Sequence, residues 1–542
     1  MFVSIFNDVI GPVMRGPSSS HCAAALRIGR LAHDLMGGEI TDVLVQFDRG
    51  GSLPTTHASQ GSDMGLCGGL LYWSADDDRL LHSEQSLASA GINLRYETID
   101  CHDPHPNTYR LTLTNHHGTR RLVAISTGGG MIEVIELDGV RLSLMGDFHE
   151  TVLRVEPACI AAVVQRLEQQ GFDFVAKYET RDTVLLRAAG QQRISDEHVT
   201  QLLAISGVVD VRRLAPVLPV MSRAGLSVPF QACREMLQWD AGRQTPLWQL
   251  GLHYEMVRGG LAADDVLEKM LAIVRIWRRS IASGVAGTEF DDRILPAQAP
   301  QFQHALQTGK LLDAGTLNRI ILYVTALMEV KSSMGVIVAA PTAGACAALP
   351  GAVIGMAEAM HKSEGEMARA MLAAGMIGVF IATHWSFAAE VGGCQAEGGS
   401  AACMAAAALV TLADGTLDQA LAAASMALQS MIGLVCDPVG NRVEVPCLGK
   451  NVMAASNAVA CANMALAGFD QVVPLDEVIE TAKRVSQQMP RELRCTGLGG
   501  LCLTPTSQRI EQQLANGTLP SLAVSCSACT PAILPTHRLS RE

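Results

Sequence analysis

The stretch Val391–Glu397, with the sequence VGGCQAE, is the part of the chain around which the fold is organised. It belongs with two later stretches, Cys436–Val439 (CDPV) and Val443–Cys447 (VEVPC). Their cysteines lie 42 and 11 residues apart, and each stands beside glycine, proline or an acid rather than inside an apolar run. This placement predicts a ligand set held in the breaks between helices.

The bulk composition favours a multidomain protein that acts on a small molecule. At 542 residues the chain is too long for one core, and a net charge of −12 without a basic block argues against a nucleic-acid partner. The opening Met1–Asp8 lacks a signal-peptide pattern, so we expect a cytoplasmic protein. The uncharged runs 370–389 and 419–436 are long enough to span a membrane, but polar residues interrupt both, and no membrane partner is expected.

Hydrophobic periodicity divides the chain into a mixed first half and a helical second half. Residues 1–147 alternate strand and helix patterns and predict a mixed α/β domain. Residues 148–216 follow the order of a ferredoxin-like βαββαβ module. Residues 217–245 are expected to be a linker with one short helix, and 246–510 an all-α domain of Ala-, Met- and Leu-rich helices. Residues 511–542 form a tail.

Two polar stretches of the first domain are candidate binding segments. Gly16–His21 (GPSSSH) precedes an amphipathic helix predicted at residues 23–35, and its serines are expected to cap that helix, where free N–H groups favour a carboxylate. A plain cap without a ligand is the alternative. The loop Thr55–Asp63 gathers His, Gln, Ser and Asp, with a solvated loop as its alternative.

The chemistry of the thiols leaves several possibilities open. Fifteen cysteines in a cytoplasmic chain do not make a disulfide framework, and most are expected to be buried thiols. Structural zinc usually uses closely spaced pairs, but the C-x-x-C pair Cys526–Cys529 lies in the tail. The wide spacing of Cys394, Cys436 and Cys447 suits an iron–sulfur cluster whose unligated iron would be a Lewis acid. On spacing alone, buried thiols remain the leading alternative.

The motifs taken together resemble the bacterial iron–sulfur-dependent, pyridoxal-independent L-serine dehydratases, in the form that carries both catalytic parts in one chain. The resemblance covers roughly residues 1–510, and the motifs follow the family's order. They are Gly11–Pro12, Gly16–His21, His105–Thr108, Gly128–Glu133, Met334–Gly344, Gly393–Glu397, Cys436–Val439, Val443–Cys447, Thr496–Leu501 and Thr504–Thr506.

The resemblance implies a [4Fe–4S] cluster on Cys394, Cys436 and Cys447, without pyridoxal phosphate. It implies that a homodimer eliminates water from a 3-hydroxy amino acid such as L-serine and releases a 2-oxo acid and ammonia. Residues 148–216 would be an ACT-like domain, and His21 and His57 are the candidates for proton transfer. The positions implied to surround the substrate are Ser18, Ser19, Ser20, Gln60, Ser62, Asn107, Thr342 and Gly344.

Several positions depart from the family's pattern. Gln60 replaces a histidine, and Lys331 and His384 each replace an asparagine. Because glutamine cannot act as a general base, His57 or His21 would have to substitute. The departures favour retained chemistry with a possible change of substrate, so L-cysteine and substituted 3-hydroxy amino acids are alternatives to L-serine. An amino-acid-binding regulator is the non-enzymatic alternative.

The tail adds one further expectation. In one branch of the family a C-terminal cysteine reaches back to the cluster as an auto-inhibitory ligand. Cys526 or Cys529 would be the corresponding residue here, and a tail with incidental thiols is the alternative.

Overall fold

Two sheets occupy most of the first 215 residues and helices dominate the remainder, in a computed structural model that describes residues 2–180 and 184–518. The prediction of a mixed α/β part followed by a helical part is confirmed. The strands are β1 (Val13–Met14), β2 (Asp42–Asp48), β3 (Asn93–Ile99), β4 (Thr108–Asn115), β5 (Gly118–Gly128), β6 (Met131–Leu137), β7 (Val140–Leu144), β8 (His149–Val155), β9 (Phe174–Glu179), β10 (Val184–Gly190), β11 (Val208–Leu214) and β12 (Ile337–Val338).

Six helices lie before β11, and helices account for nearly all the regular structure after it. They are α1 (Ala24–Met36), α2 (Leu53–Thr56), α3 (Ser62–Leu70), α4 (Ser83–Ser89), α5 (Ile160–Glu168), α6 (Asp196–Leu203), α7 (Cys233–Asp240), α8 (Leu247–Gly259), α9 (Ala263–Ala286), α10 (Ala299–Gln307), α11 (Thr316–Ser332), α12 (Ala348–Ala359), α13 (Glu364–His384), α14 (Ala389–Gly392), α15 (Ser400–Leu412), α16 (Leu417–Gln429), α17 (Cys447–Leu466), α18 (Leu475–Gln488) and α19 (Pro505–Ala515).

The first sheet has six strands in the order β3-β2-β4-β5-β6-β7. Only β2 and β3 run parallel within it, because α2, α3 and α4 cross between them, and the other neighbours are antiparallel. Helix α1 packs on this sheet, and its apolar side shares a core with the strands. The glycine turn after β5 leads directly into β6.

The second sheet has four antiparallel strands in the order β11-β8-β10-β9. Helices α5 and α6 supply the rest of a separate small core, with Val163, Leu167 and Leu202 packed against Leu153 and Leu186. The strand and helix order is the βαββαβ order predicted for this part of the chain.

An alanine-rich helical core fills the second half of the molecule. Helix α15, with the sequence SAACMAAAALVTL, lies among α12, α13, α16 and α17, where its small side chains let the helices approach closely. Capping boxes begin two of these helices, Ser363 with Glu366 at α13 and Thr416 with Gln419 at α16. The core therefore follows from local sequence signals as well as from apolar content.

The segment Ile5–Met14 belongs to this helical core rather than to the first sheet. Strand β1 pairs with β12 through Val13 and Val338, and Ile5 and Val9 are fully buried against α13. The Ser4 hydroxyl also donates a hydrogen bond to Glu255 on α8 at 2.6 Å. Sequence periodicity placed this segment with the α/β part, and its apolar residues do not reveal which core they join.

Helix α13 is long and apolar enough to cross a membrane, by length and composition only. The helical core encloses it, and 78% of its most apolar window is buried inside the protein. A single helix of this kind is weak evidence for a membrane protein, because the central helix of a packed core passes the same test.

Candidate metal centre and polar pocket

Three predicted ligand residues converge in the helical region. The Cys394 and Cys436 thiols and a carboxylate oxygen of Glu397 all lie within 4.8 Å of one another. Cys447 is buried beside them, where its thiol interacts electrostatically with Cys394 and Glu397. These soft, buried donors suit a thiolate-bound metal group, and the distant pieces of chain that carry them meet only in the fold.

Each thiol is placed by a break between helices. Cys394 follows α14, where Gly393 has φ +69° and a Cβ there would lie 2.8 Å from the Met489 sulfur. Cys436 lies in the loop after α16, and its N–H donates to the Leu493 carbonyl at 2.9 Å. Cys447 is the first residue of α17, so its sulfur stands at a helix N-terminus that favours a thiolate.

Two lysines adjoin the thiols, Lys331 buried and Lys450 half-buried. The Lys450 amine, one turn into α17, lies 3.7 Å from the Cys394 sulfur and donates to Asp437 at 2.8 Å. Burial opposes its charge, but Cys394 and Asp437 outweigh that effect and raise the pKa of Lys450 above its usual value. Lys331 is 0% exposed, and its amine donates to the Val443 carbonyl in the loop that ends at Cys447. These cations suit a site that holds several thiolates.

The surroundings of Cys436 and Cys447 disfavour their ionisation in the metal-free protein. Contacts with Cys394 and Cys495, together with burial, raise the pKa of Cys436. Burial is also the largest influence that raises the pKa of Cys447. Metal binding displaces such protons, so binding at this site would release them to solvent.

Glu397 links the thiols to the loop Pro341–Gly344. Its carboxylate accepts a hydrogen bond from the Thr342 hydroxyl at 2.7 Å, and a Cβ on Gly344 would lie 2.7 Å from the same oxygen. Burial raises the pKa of Glu397 to about 7 despite the Thr342 hydrogen bond. Ser19 completes the link, because its hydroxyl accepts from the Ala343 N–H at 3.1 Å.

The serines before α1 do not cap that helix. Their segment forms a π-helical turn, Ser19–Ala23, whose first residues make no side-chain cap hydrogen bond. The Ser20 hydroxyl instead donates to Glu390 at 2.8 Å, and Ser18 lies 3.0 Å from His21 Nδ1. The capping prediction was wrong because these hydroxyls find partners across the interface with the helical region.

His21 lies at the centre of this network. The Thr56 hydroxyl donates its hydrogen to the Ser52 carbonyl. The Thr56 oxygen is therefore left to accept a hydrogen bond from His21 Nε2 at 2.8 Å. His21 Nδ1 then accepts from Ser18. Burial lowers the pKa of His21, although Glu390 nearby opposes the shift, and the ring is therefore neutral at neutral pH.

Two buried polar atoms of the network lack a partner within the described residues. They are Glu390 Oε2 and Asn107 Nδ2, one an acceptor and the other a donor. The Ser52 hydroxyl donates to Asn107 Oδ1. Burial lowers the pKa of His105, two residues before Asn107, and the charge of Glu390 opposes that shift. The unpaired carboxylate oxygen of Glu390 suits an ammonium partner, and the unpaired amide of Asn107 suits a carboxylate.

The loop Thr55–Asp63 points its polar residues in different directions. The Gln60 amide reaches the Cys495 sulfur at 3.6 Å. His57 faces the other way, with Nδ1 2.7 Å from Asp63 and its ring 5.1 Å from those of both Phe47 and Tyr96. Ser62 bonds to the Tyr109 hydroxyl at 2.8 Å, within the first sheet's core.

The remaining departures from the family pattern differ in their surroundings. Lys331 supports the Val443–Cys447 loop and borders a cavity of about 320 Å³. Pro17 and Ser59 line the opposite wall of that cavity. His384 is engaged elsewhere, with Nε2 3.1 Å from the Gln231 carbonyl. Cys526 and Cys529 lie outside the described residues.

Three residues of the site were not singled out from the sequence. Lys450, Glu390 and Cys495 each stand close to a recognised motif, but only the fold shows that they converge. Lys450 follows Cys447 at the i+3 position of a helix, which is the one local signal that could have identified it. Glu390 and Cys495 had no comparable signal.

Comparisons with known proteins agree with the motifs. A family model described as "Serine dehydratase alpha chain" matches residues 183–502. The chain is 35% identical over 292 residues to the "Probable L-serine dehydratase, alpha chain" of Bacillus subtilis, across 54% of this chain and 97% of that protein. It is 35% identical over 219 residues to the beta chain of the same organism, across 39% and 98%. The L-serine dehydratase of Streptomyces coelicolor is 33% identical over 441 residues, across 78% and 92%.

Proposed function

Because the chain belongs to the L-serine dehydratase family and is a lyase of the L-serine ammonia-lyase type, we propose that it dehydrates and deaminates L-serine or a close 3-hydroxy amino acid. The products would be a 2-oxo acid and ammonia. The observation that carries this proposal is the convergence of Cys394, Cys436 and Cys447 around Glu397, near Glu390, which has an unpaired carboxylate oxygen.

Cys394, Cys436 and Cys447 would hold a [4Fe–4S] cluster as thiolates. Their donor type, burial and neighbouring lysines fit such a group, whose charge Lys450 and Lys331 would partly offset. When bound, the cluster would supply a Lewis acid that polarises the substrate's 3-hydroxyl and eases its departure.

Glu390 and Asn107 would bind the two ends of an amino acid. Glu390 Oε2 can accept from the substrate ammonium, and Asn107 Nδ2 can donate to its carboxylate. Ser20 holds Glu390 by its other oxygen, and Ser52 holds Asn107 by its carbonyl oxygen, so both groups are preorganised. Four further positions implied to surround the substrate would shape and support this site. They are Ser18, Ser19, Thr342 and Gly344.

His21 is better placed than His57 to receive the α-proton. Its neutral ring presents Nδ1 to Ser18 and Ser20 beside Glu390, so the proton can pass through a serine hydroxyl to Nδ1. His57 is held by Asp63 and packs against the rings of Phe47 and Tyr96. Loss of the α-proton and the 3-hydroxyl, together one water, leaves an enamine, and its imine tautomer adds water and releases ammonia.

The second candidate substrate class is L-cysteine or a substituted 3-hydroxy amino acid. The observation that favours it is Gln60, which directs its amide to a sulfur atom at the position where the family has histidine. An amide can orient a substrate but cannot take a proton, so this change would alter recognition while leaving the thiol set intact.

We further propose that residues 148–216 are an ACT-like domain that binds a small effector. A cavity of about 470 Å³ lies at its edge, lined by Phe172, Gln191, Arg193, Ser195 and His198. A cytoplasmic location is also proposed, because the cysteines in the described part of the chain are all free thiols. A homodimer stays a prediction.

The experiment that tests the function is anaerobic purification followed by assays for 2-oxo acid and ammonia. The panel contains L-serine, L-cysteine and substituted 3-hydroxy amino acids. We expect brown, oxygen-sensitive protein that turns over at least one of them. Colourless, iron-free protein without activity on the whole panel would refute the proposal.

A matched pair of variants tests the ligand assignment. Cys436→Ala should lose both the visible absorption and turnover, whereas Cys403→Ala, a buried thiol on α15, should keep both. Retention of iron and activity by Cys436→Ala would show that this thiol is not a ligand.

A further inference from the structure

A mostly apolar cavity of about 510 Å³, the junction cavity, lies where three parts of the chain meet. Its walls come from α1 of the α/β part, from α9 of the helical core and from the segment 216–219 that follows β11. The apolar lining includes Phe6, Leu26, Leu218 and Ile273. Cavities of this size between parts of a protein are common binding sites for small molecules. The residues of the metal centre and of the proposed substrate site lie elsewhere.

Hydrogen bonds fix the wall that the segment 216–219 forms. The Val217 N–H donates to the Gly146 carbonyl at 2.8 Å. Val220, the next residue after the segment, exchanges two hydrogen bonds with the Asn7 side chain, at 2.7 and 2.9 Å. The start of the predicted linker is therefore held on both sides, so this wall of the junction cavity is already formed before any ligand binds.

Three cations reach the junction cavity. Arg27 and Arg30 extend from α1, and Lys269 extends from α9. Arg27 is 5% exposed, and its Nη1 donates to the Gly130 carbonyl at 2.6 Å. Burial lowers the pKa of Arg27 to about 10, and the nearby Asp8 opposes that shift. Asp8 therefore accounts for one of the three charges.

Arg30 and Lys269 carry charges that no ion pair balances within the described residues. Arg30 Nε is also buried there without a hydrogen-bond partner. Asp34, one turn further along α1, accepts from the Ala215 N–H at 2.8 Å instead. Among the described lining residues Asp76 alone is acidic, and it is exposed. The junction cavity thus presents positive charge to whatever fills it.

These surroundings suit a molecule with an apolar body and one anionic end. Apolar walls favour hydrocarbon, and an arginine out of bulk water is a strong partner for a carboxylate because its N–H groups match the two oxygens. A zwitterionic amino acid fits less well, since its ammonium would lie close to Arg30 and Lys269. A phosphate ester would bring a strongly hydrated dianion into a mostly apolar space.

We propose that the junction cavity is a binding site for an apolar monocarboxylate, such as an arylalkanoate or a medium-chain fatty acid. The carboxylate would pair with Arg30, the exposed Lys269 would add its charge, and the hydrocarbon would lie between Leu26 and Ile273. Because one ligand would touch all three parts of the chain, it would bind their assembled arrangement best and stabilise it. The inference depends neither on the metal centre nor on the reaction.

Isothermal titration calorimetry of the anaerobically purified full-length protein tests the site with 3-phenylpropanoate. Two analogues separate its features, because 3-phenyl-1-propanol lacks the charge and acetate lacks the apolar body. We expect 3-phenylpropanoate to bind about 10- to 100-fold more tightly than the alcohol, which is the effect of a charge-assisted hydrogen bond. Acetate should bind more weakly than 3-phenylpropanoate by a similar factor or more.

Matched variants locate the binding. Ala272→Trp places a large side chain in the junction cavity and should abolish binding, whereas Ser283→Trp, at another exposed position of α9, should not affect it. Lys269→Gln should weaken binding about two- to five-fold, as expected for an exposed ion pair. Lys310→Gln, at an exposed lysine elsewhere, is its control. Arg30→Gln should weaken binding about tenfold or more, and it keeps the test valid if the tryptophan disturbs packing.

Hydrogen exchange followed by mass spectrometry reports the location directly. Saturating 3-phenylpropanoate should slow exchange in peptides from α1, from α9 and from the segment after β11, and it should do so in Ser283→Trp but not in Ala272→Trp.

Several results would overturn the proposal. They are no binding to the wild type, equal binding of the alcohol and the carboxylate, and unchanged binding in both Ala272→Trp and Arg30→Gln. Light scattering covers a further case. If the wild type binds no carboxylate and is a dimer that Ala272→Trp dissociates, a second copy of the chain covers the junction cavity and the proposal is wrong.

Discussion

The Ser20 hydroxyl donates a hydrogen bond of 2.8 Å to Glu390, a residue 370 positions further along the chain. The contact joins the serine-rich turn before α1 to the residue that follows Ala389 in α14, just before the first predicted thiol ligand. The contact occupies Glu390 Oε1 and fixes the carboxylate, while Oε2 stays unpaired within the described residues. The two halves of the site are thus coupled by a side chain from each.

Replacement of Glu390 by glutamine should weaken substrate binding. Glu390→Gln keeps the shape and the Ser20 contact but removes the charge that would face the ammonium. A charge-assisted hydrogen bond is worth about 1.5–3 kcal/mol, so we expect kcat/KM to fall about 10- to 100-fold, mostly through KM. Steady-state kinetics of the anaerobic enzyme measure the changes in kcat/KM and KM. Glu255→Gln, in a similar Ser–Glu pair, is the control and should leave KM unchanged.

Removal of the Lys450 charge should loosen the metal group. Lys450→Met leaves Asp437 without its cation and removes the amine 3.7 Å from the Cys394 sulfur. Loss of such supporting contacts typically costs about 10- to 100-fold in metal affinity. Iron loss to a chelator over time is the measurement. Lys483→Met on α18 is the control, and equal rates in both variants would rule out a role for Lys450 in metal retention.

Stability of the metal-free protein should decline on mild acidification because of His21. Burial lowers the pKa of His21 in the folded protein, while the unfolded chain binds this proton near the ordinary value of 6.5. Below that pH the unfolded state holds more protons, so the free energy of unfolding falls as pH falls, until the native pKa is reached. His21→Gln should flatten this slope by up to about 1.4 kcal/mol per pH unit.

Urea unfolding at several pH values between 5 and 8 tests the His21 contribution. The exposed residue His304 provides the control variant His304→Gln, which should keep the wild-type slope. A slope in His21→Gln that matches the wild type would assign the acid sensitivity to other groups, such as His105, whose pKa burial also lowers.

A methyl group at Gly128 should separate the two halves of the site without removing iron. Gly128 has φ +105°, and a Cβ there would lie 2.9 Å from the Ala388 side chain and 3.0 Å from its nitrogen. The displaced sheet would carry Asn107 away from Glu390, so we expect KM to rise while iron content stays constant. Gly139→Ala controls for backbone strain, because Gly139 has φ +81° and nothing within 4 Å. Equal effects of both variants would contradict the role of the contact.

Local sequence signals were sufficient to predict that most of the chain after residue 246 is helical. The Ala-, Met- and Leu-rich composition after residue 246 predicted helices, and α18 shows the expected apolar stripe, with Leu475, Val478, Ile479 and Ala482 buried. The βαββαβ order was likewise readable from alternating strand and helix patterns.

The sequence singled out three thiols that the fold brings together, but not the polar groups around them. Cys394, Cys436 and Cys447 stood out because each lies beside a helix-breaking residue or an acid. Only the fold shows that Glu390 and Cys495 belong to the site, because Ser20 and Gln60 contact them from the other half of the chain. Such convergence depends on tertiary packing, which no spacing within one stretch encodes.

The burial of Ile5–Met14 in the helical core also affects how the protein is made. Ribosomes synthesise Val13 long before its strand partner Val338, and α13, which covers Ile5 and Val9, follows later still. During translation this apolar segment therefore has no native surface to join. The α/β part can fold as it emerges, whereas closure of the helical core has to wait until most of the chain has left the ribosome.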